Sequence, residues 1–321
     1  MINVFFSYDY ELMWGVWRHK TGKYISQNIR HASDALASTI ALHQSAEIPA
    51  NVAIVGALLD DLNPTDLIAL QDLNETDQQR LKHQINRHGD DAGLWKISVW
   101  LRRSLVSNPW VSLGSHSYSH AYAHSTSFKK LEQDFQRQAH VFQTQLGQVP
   151  EFLIMPKNQI SPDVMAIAQD YGFENLRINP DCWLYWTQQK SIIIRALRRL
   201  DSYLPLLEMI PTQKPASTPI KALEGRYFFR PGHRIKFLDD LHFLRLKLGY
   251  YYCRASNRDF HLWTHPHNMG GNITRSRRNL QRIFQWLKSK ELRGELRFCR
   301  MDHGKAKRRS SDGTRLVKQA T

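Results

Sequence analysis

Cysteine is scarce in this 321-residue chain. Cys182, Cys253 and Cys299 are far apart, odd in number and without C-x-x-C spacing, which argues against both a disulfide framework and a thiolate metal cage and leaves buried free thiols as the expectation. Long apolar runs are also missing. No stretch reaches the roughly 20 apolar residues that a membrane-spanning helix needs. The opening run Met1-Ile2-Asn3-Val4-Phe5-Phe6 meets Asp9 and Glu11 too early to be the core of a signal peptide, so a cytoplasmic protein is expected. Acidic side chains are in the minority, with 29 Asp and Glu against 44 Lys and Arg and a formal charge of +15. That balance favours anionic partners such as phosphates, nucleotides or lipid headgroups. No RNA-binding signature or zinc-finger spacing accompanies it, so nucleic acid is not an expected partner. What is present, 42% hydrophobic and 11% aromatic residues, is the composition of a globular protein with a sizeable core.

Apolar runs bounded by turn signals alternate with helical patterns, the arrangement of parallel strands joined by crossover helices. Strands are expected at residues 4–8, 52–58, 111–113, 152–155 and 260–263. Helical spacing links Leu131, Phe135, Ala139 and Phe142, and again Leu280, Ile283, Phe284 and Leu287. A barrel-like α/β domain over residues 1–300 fits this better than an open sandwich. Residues 187–230 read as an insertion or flap, with Ile192, Ile193 and Ile194 opening an Arg- and Leu-rich helix before Pro205, Pro211, Pro215 and Pro219. Over 192–208, Arg195, Arg198 and Arg199 flank Ile194, Leu197 and Leu200, so contact with the inner face of a membrane is one expectation and packing on the barrel the other. The tail 301–321 is basic and aperiodic, and disorder is its default. No internal repeat is visible.

Three constellations carry chemistry. In Gly114-Ser115-His116-Ser117-Tyr118-Ser119-His120, two histidines four residues apart can share one side of a helical turn and converge on one ion, and the apolar run Trp110 to Leu113 delivers them as a barrel strand delivers ligands at its carboxyl end. In Phe5-Phe6-Ser7-Tyr8-Asp9-Tyr10-Glu11, residues i and i+2 of an extended chain point the same way, so Asp9 and Glu11 can aim into one cavity. A divalent cation would compensate two such carboxylates, one as ligand and the other as base; a solvated pair beyond the strand end is the alternative. In Phe260-His261-Leu262-Trp263-Thr264-His265-Pro266-His267-Asn268, a short strand ends in histidines placed for acid/base work, with His261 read as an ordinary core or surface residue.

Taken in order, Ser7 to Glu11, His116 to His120, Met155-Pro156-Lys157-Asn158-Gln159 and Leu262 to His265 resemble the four motifs of the polysaccharide deacetylases, the NodB homology domain of carbohydrate esterase family 4. Asp9, Glu11, Trp14 and Gly15 match most closely the Asp-x-Glu then Trp-Gly form found in members that accompany surface-polysaccharide gene sets. The resemblance implies a distorted (β/α) barrel and a divalent metal, Zn²⁺ by preference, held by Glu11, His116 and His120. It makes Asp9 the general base and His265 the general acid, with His267 nearby. The chain departs from the better-known branch in having Tyr10 where a second aspartate stands, and Lys157 where an arginine pairs with the base carboxylate; lysine keeps the charge but loses the bidentate fork. Trp14, Asn158, Gln159, His267 and Asn268 are then candidates for holding substrate, with Trp183 and Trp263 as further stacking candidates. The implied activity is hydrolysis of an N-acetyl or other N-acyl group from a nucleotide- or lipid-linked sugar, in O-antigen or capsule assembly. The alternatives are a sugar N-deformylase and a non-catalytic relative that binds an anionic glycan or nucleotide-sugar.

Overall fold

The computed structural model describes residues 1–18, 23–61, 73–89, 91–186, 191–210, 220–229 and 235–302. A nine-stranded sheet is built from β1 (Ile2–Tyr10), β2 (Ala50–Ile54), β3 (Val111–Ser115), β4 (Leu153–Ile154), β5 (Asn175–Ile178), β6 (Lys221–Glu224), β7 (Tyr227–Phe228), β8 (Phe260–Thr264) and β9 (Leu296–Phe298). Its order is β6-β5-β4-β3-β2-β1-β8-β7, with β9 beside the start of β1, and the pairings are parallel. Helices supply the crossovers: α1 (Leu12–Val16), α2 (Lys23–Arg30), α3 (Ala32–Ala46), α4 (Glu75–His88), α5 (Ala92–Trp95), α6 (Val99–Ser107), α7 (Phe128–Leu146), α8 (Pro162–Asp170), α9 (Ile192–Leu200), α10 (Lys236–Ala255), α11 (His267–Gly270) and α12 (Ile273–Glu291).

The sheet curls until its two edges, β6 and β7, are separated only by Gly225 and Arg226. Gly225 spans the seam: its N–H donates to the Ile178 carbonyl at 2.8 Å and its own carbonyl accepts from Trp263 Nε1 at 3.0 Å. The result is the nearly closed (β/α) barrel that the sequence pattern implies. Alternation along β1 sets its two sides. Val4, Phe6, Tyr8 and Tyr10 face the helices and join the main core with Leu36, Ile40, Leu280 and Phe284. Phe5, with Ala53, Phe152, Ile154, Leu223 and Met301, fills the barrel interior, each large side chain contributing roughly 1.5–3 kcal/mol by burial. Met301 closes the amino-terminal end, its backbone clipped to the Asn51 and Asn175 side chains at 2.7 and 2.5 Å.

Several boundaries differ from expectation for physical reasons. The run 52–58 leaves the sheet after Ile54 and tightens into a 3-10 turn at Gly56–Leu58, because the Gly56 and Ala57 N–H groups donate to the Ser117 and Tyr118 carbonyls instead of to a strand. Within the stretch 187–230, read as an insertion, Lys221–Glu224 and Tyr227–Phe228 pair into the sheet as β6 and β7. In the expected tail, Met301 is buried in the body of the protein, and residues 303–321 lie outside the described residues.

Candidate active site

The carboxyl ends of β1, β3, β5 and β8 bring together Asp9, His116, Arg177 and His265. Asp9 follows Phe5 and Ser7 on the inward side of β1 and is buried. Glu11 lies just past the strand as the N-cap of α1, where the chain turns sharply through a left-handed Leu12 (φ 45°). Its side chain folds back over Gly15, at which a Cβ would sit 2.0 Å from Glu11 Cδ. Only glycine leaves room for that carboxylate.

Arg177, on the inward side of β5, grips Asp9 with a two-pronged fork: one terminal nitrogen lies 2.9 Å from Oδ1 and the other 2.5 Å from Oδ2. The guanidinium is itself pinned, donating to Ser7 Oγ and to Asn158 Oδ1 at 2.8 Å each, with its carbon 4.4 Å from the Trp263 ring centre. A Cβ at Gly225 would lie 2.8 Å from Arg177 Cδ, so that glycine too is a space requirement. Burial pushes the Asp9 carboxyl up, but the charges of Arg177, His116 and His265 outweigh it and hold the group below its ordinary value. Lys157, placed by sequence reasoning beside the base, is exposed, and its ammonium stands 3.7 Å from the Tyr122 ring centre. The fork that Lys157 could not form is supplied from a different strand.

Glu11 Oε2 lies 3.3 Å from His116 Nε2 and 3.0 Å from His120 Nε2. The histidines do not share a helical turn. Residues 116–120 form a loop with left-handed backbone at Ser117 and His120 (φ 56° and 58°), yet the two rings converge with centres 5.3 Å apart. Asp134 of α7 shapes that loop by accepting from the Tyr118 and Ser119 N–H groups at 2.6 and 2.8 Å and from the Ser119 hydroxyl at 2.5 Å. Phe152 packs where a side chain on Gly114 would be.

The donor set fits a divalent ion. His116 Nδ1 is 2.8 Å from the Ile154 carbonyl, which can only accept, so the proton of the neutral ring sits on Nδ1 and the Nε2 lone pair faces a carboxylate oxygen. Two lone pairs at that distance repel unless a cation lies between them. Burial pushes His120 down to about 4 despite Glu11, which leaves it neutral and able to ligate, while burial pushes Glu11 up but the neighbouring histidines, His265 foremost, outweigh it and keep the carboxyl well below the ordinary carboxylate range. The three ligand atoms lie within 4.8 Å of one another, and the bond from His116 Nδ1 to a backbone carbonyl is the orienting contact typical of metal-bound imidazole.

His265, at the end of β8, is the more open ring, with Nε2 3.4 Å from Glu11 Oε1 and 3.8 Å from Asp9 Oδ2. The Asn268 amide approaches its Nδ1 at 3.4 Å, which leaves the ring proton on Nε2, and His267 stacks on it at 4.9 Å. Burial pushes His267 down to about 4. The other expected substrate contacts fall elsewhere. Trp14 is buried, donates to the Trp95 carbonyl at 3.2 Å and packs edge-on against Trp95, so it belongs to the core. Asn158 is taken up by Arg177 and Asn179, and Gln159 Oε1 by the His124 N–H at 3.4 Å. Trp263 lies under Arg177, whereas Trp183 is 42% exposed. His261, read as a core or surface residue, is buried with its Nε2 2.8 Å from Ser7 Oγ. Sequence reasoning missed Arg177 and Asp134; the available signals were a lone charge inside the apolar strand Asn175–Ile178 and a carboxylate one helical turn from Leu131 on the buried side of α7.

No curated protein matches the chain in sequence. Among solved structures it superposes on one from Mycobacterium smegmatis assigned to the polysaccharide deacetylases, with TM-score 0.51 and 10% identity over 91% of this chain and 90% of that one. A structure from Pseudomonas aeruginosa PAO1 with the same assignment gives 0.52 and 12% over 93% and 88%, and Puue allantoinase gives 0.51 and 13% over 93% and 87%. At such identities these likenesses establish the fold. Residues 100–176, which include His116, His120 and Asp134, match the polysaccharide deacetylase family, and the chain as a whole has the fold of that family.

Proposed function

We propose that the protein is a metal-dependent amidohydrolase that removes an N-acyl group, N-acetyl by preference, from a sugar. The observation that carries this reading is the division of labour between two neighbouring carboxylates: Asp9 is locked to Arg177, while Glu11 converges with the imidazoles of His116 and His120. A divalent ion held by Glu11, His116 and His120, most simply Zn²⁺, would supply Lewis acidity and lower the pKa of a water. Asp9, kept ionised by Arg177, accepts the proton of the attacking water. Arg177 also stops Asp9 from turning away, since its guanidinium is fixed on further sides by Ser7 and Asn158. His265 presents an Nε2 proton to the same space and delivers it to the departing nitrogen.

The formal charge of +15 suits a substrate that carries phosphate, so a nucleotide- or lipid-linked precursor of a surface polysaccharide such as O-antigen or capsule is the substrate class we favour. The test is release of acetate or formate from N-acylated nucleotide-sugars, lipid-linked sugars and free polymer by protein depleted of metal and then reconstituted. Ion-dependent turnover that is lost in Asp9→Asn supports the reading. Stoichiometric metal binding with no hydrolysis of any of these substrates would replace it with a non-catalytic sugar-binding role.

A further inference from the structure

We propose that α9 and the adjoining outward side of α10 form a docking surface for a membrane carrying anionic lipid headgroups. The inference does not depend on the proposed activity. None of the residues of α9 is buried, and Ile192 and Ile193 are 73% and 66% exposed. The helix already has its protein partner on one side: Leu197 packs on Cys182, Leu184 and Leu207, and Arg198 donates to the Leu184 and Trp186 carbonyls. Ile194, three residues before Leu197, is half-buried on the same side; the exposed apolar residues, Ile192, Ile193, Ala196 and Leu200, lie away from that contact at helical spacing, with Arg195 and Arg199 along their edge. The C-terminal end of α9 is tied to α10 by Asp201 to Arg245 at 2.7 Å and by His242 to the Ser202 carbonyl at 2.6 Å. On α10, Phe237, Leu244, Leu248 and Tyr251 recur at intervals of seven, four and three and are each at least 44% exposed.

Charge selects the occupant. The charged residues of α9 are all arginines, and three nearby acidic residues are committed, Asp201 to Arg245, Asp239 to Arg275 and Asp240 to Arg282, while Asp181 accepts from the Trp186 Nε1 at 3.2 Å. A second copy of the chain on this face would set Arg195 and Arg199 against like charge, whereas anionic headgroups oppose them and let the apolar residues enter the acyl boundary, with the arginine stems reaching back to the phosphates. Trp186, 51% exposed beside the helix, and Trp183 are side chains suited to that boundary. Among the described residues no helix is long and apolar enough to cross a membrane, so the contact lies on its surface.

Flotation of the full chain with vesicles of phosphatidylcholine alone, or mixed with phosphatidylglycerol, tests this. Binding is expected only to the mixed vesicles and should weaken as salt is raised. Ile192→Ser with Ile193→Ser, and separately Arg195→Glu with Arg199→Glu, should each lower partitioning by at least about tenfold while the melting temperature and any hydrolysis of soluble N-acyl sugars stay unchanged. Failure to bind phosphatidylglycerol vesicles, or binding that both double variants retain, overturns the proposal. So does a dimer in sedimentation equilibrium that the isoleucine variant dissociates, since that assigns the face to a second copy.

Discussion

Replacing Gly15 by alanine adds one carbon, and the structure says where it must go. The new Cβ falls 2.0 Å from Glu11 Cδ, 2.1 Å from Oε1 and 2.6 Å from Cγ. Unbonded carbon atoms settle at about 3.5–4.0 Å, so the carboxylate has to retreat by roughly 1.5 Å. The obstacle is the end of a flexible side chain rather than backbone, so the fold can absorb the change. Alanine is also favoured over glycine inside a helix by about 0.5–1 kcal/mol, which helps the metal-free protein. Metal sites tolerate errors of only about 0.2 Å in ligand position, and a misplacement of about 1 Å near the reacting atoms costs about 10²-fold in rate. Gly15→Ala should therefore melt at the same or a slightly higher temperature without metal, bind Zn²⁺ about 10–100-fold more weakly and lose about 10²-fold in kcat/KM. Thermal melts of the apo and Zn²⁺-loaded forms, together with competitive chelator titration, separate these effects. Unchanged Zn²⁺ affinity with unchanged turnover would show that the carboxylate of Glu11 is not a ligand.

Asp9→Asn should keep the metal by elemental analysis while turnover falls by roughly 10²–10⁴-fold, and Glu11→Gln should lose both; the opposite pattern would exchange their roles. Arg177→Lys leaves a single charged group where two nitrogens now hold Asp9, so burial regains weight, the Asp9 carboxyl rises and the acid limb of kcat/KM moves to higher pH, whereas Lys157→Met leaves that limb in place. Equal shifts in the two variants would defeat the assignment of Arg177 to the base. Away from the site, burial and the charge of Asp302 push Glu151 up to about 7. A carboxyl raised in the folded state stabilises fully below its unfolded value of about 4.5 and loses that contribution as pH climbs through its folded value. Glu151→Gln should match the wild type in denaturant melts at pH 4 and exceed it by about 1–2 kcal/mol at pH 8, after allowance for solvent screening; an equal gain at both pH values would refute the linkage.

The strands that frame the site were legible where burial on both faces produced a largely apolar run, as in β1, β3 and β8. Legibility failed for β6 and β7, which hold four and two residues and leave no room for a period to develop. Their pairing is determined by what surrounds them: β7 is in the sheet because β8 lies beside it, with Tyr227 opposite Leu262. The neighbouring prolines then made the whole stretch 187–230 read as an insertion. For α9 the pattern alone could not separate packing on the barrel from exposure, because Leu197 does pack inward while Ile192 and Ile193 on the same short helix do not.

The site divides along a similar line. Residues whose placement follows from their own strand position could be read: Asp9 because alternation turns it inward, and His116 and His265 because each directly follows the end of a strand. The companion of Asp9 could not be, because what is needed is a guanidinium at a point in space, and any strand whose carboxyl end reaches that point can provide it. Here β5 provides it. Asn158, beside Lys157, accepts from the Arg177 Nε and so orients the arginine that stands in for its neighbour. Gly225, in the stretch taken for a flap, clears the room that Arg177 fills, and Trp263 lies against the guanidinium face. A larger residue at 225 would press on Arg177 and, through it, on Asp9. Gly225→Ala should therefore lower kcat with Zn²⁺ content unchanged, where Gly15→Ala lowers Zn²⁺ affinity, so two glycines flanking one cavity would report separately on the base and on the metal ligand. Loss of metal in Gly225→Ala would mean that the two carboxylates are not positioned independently.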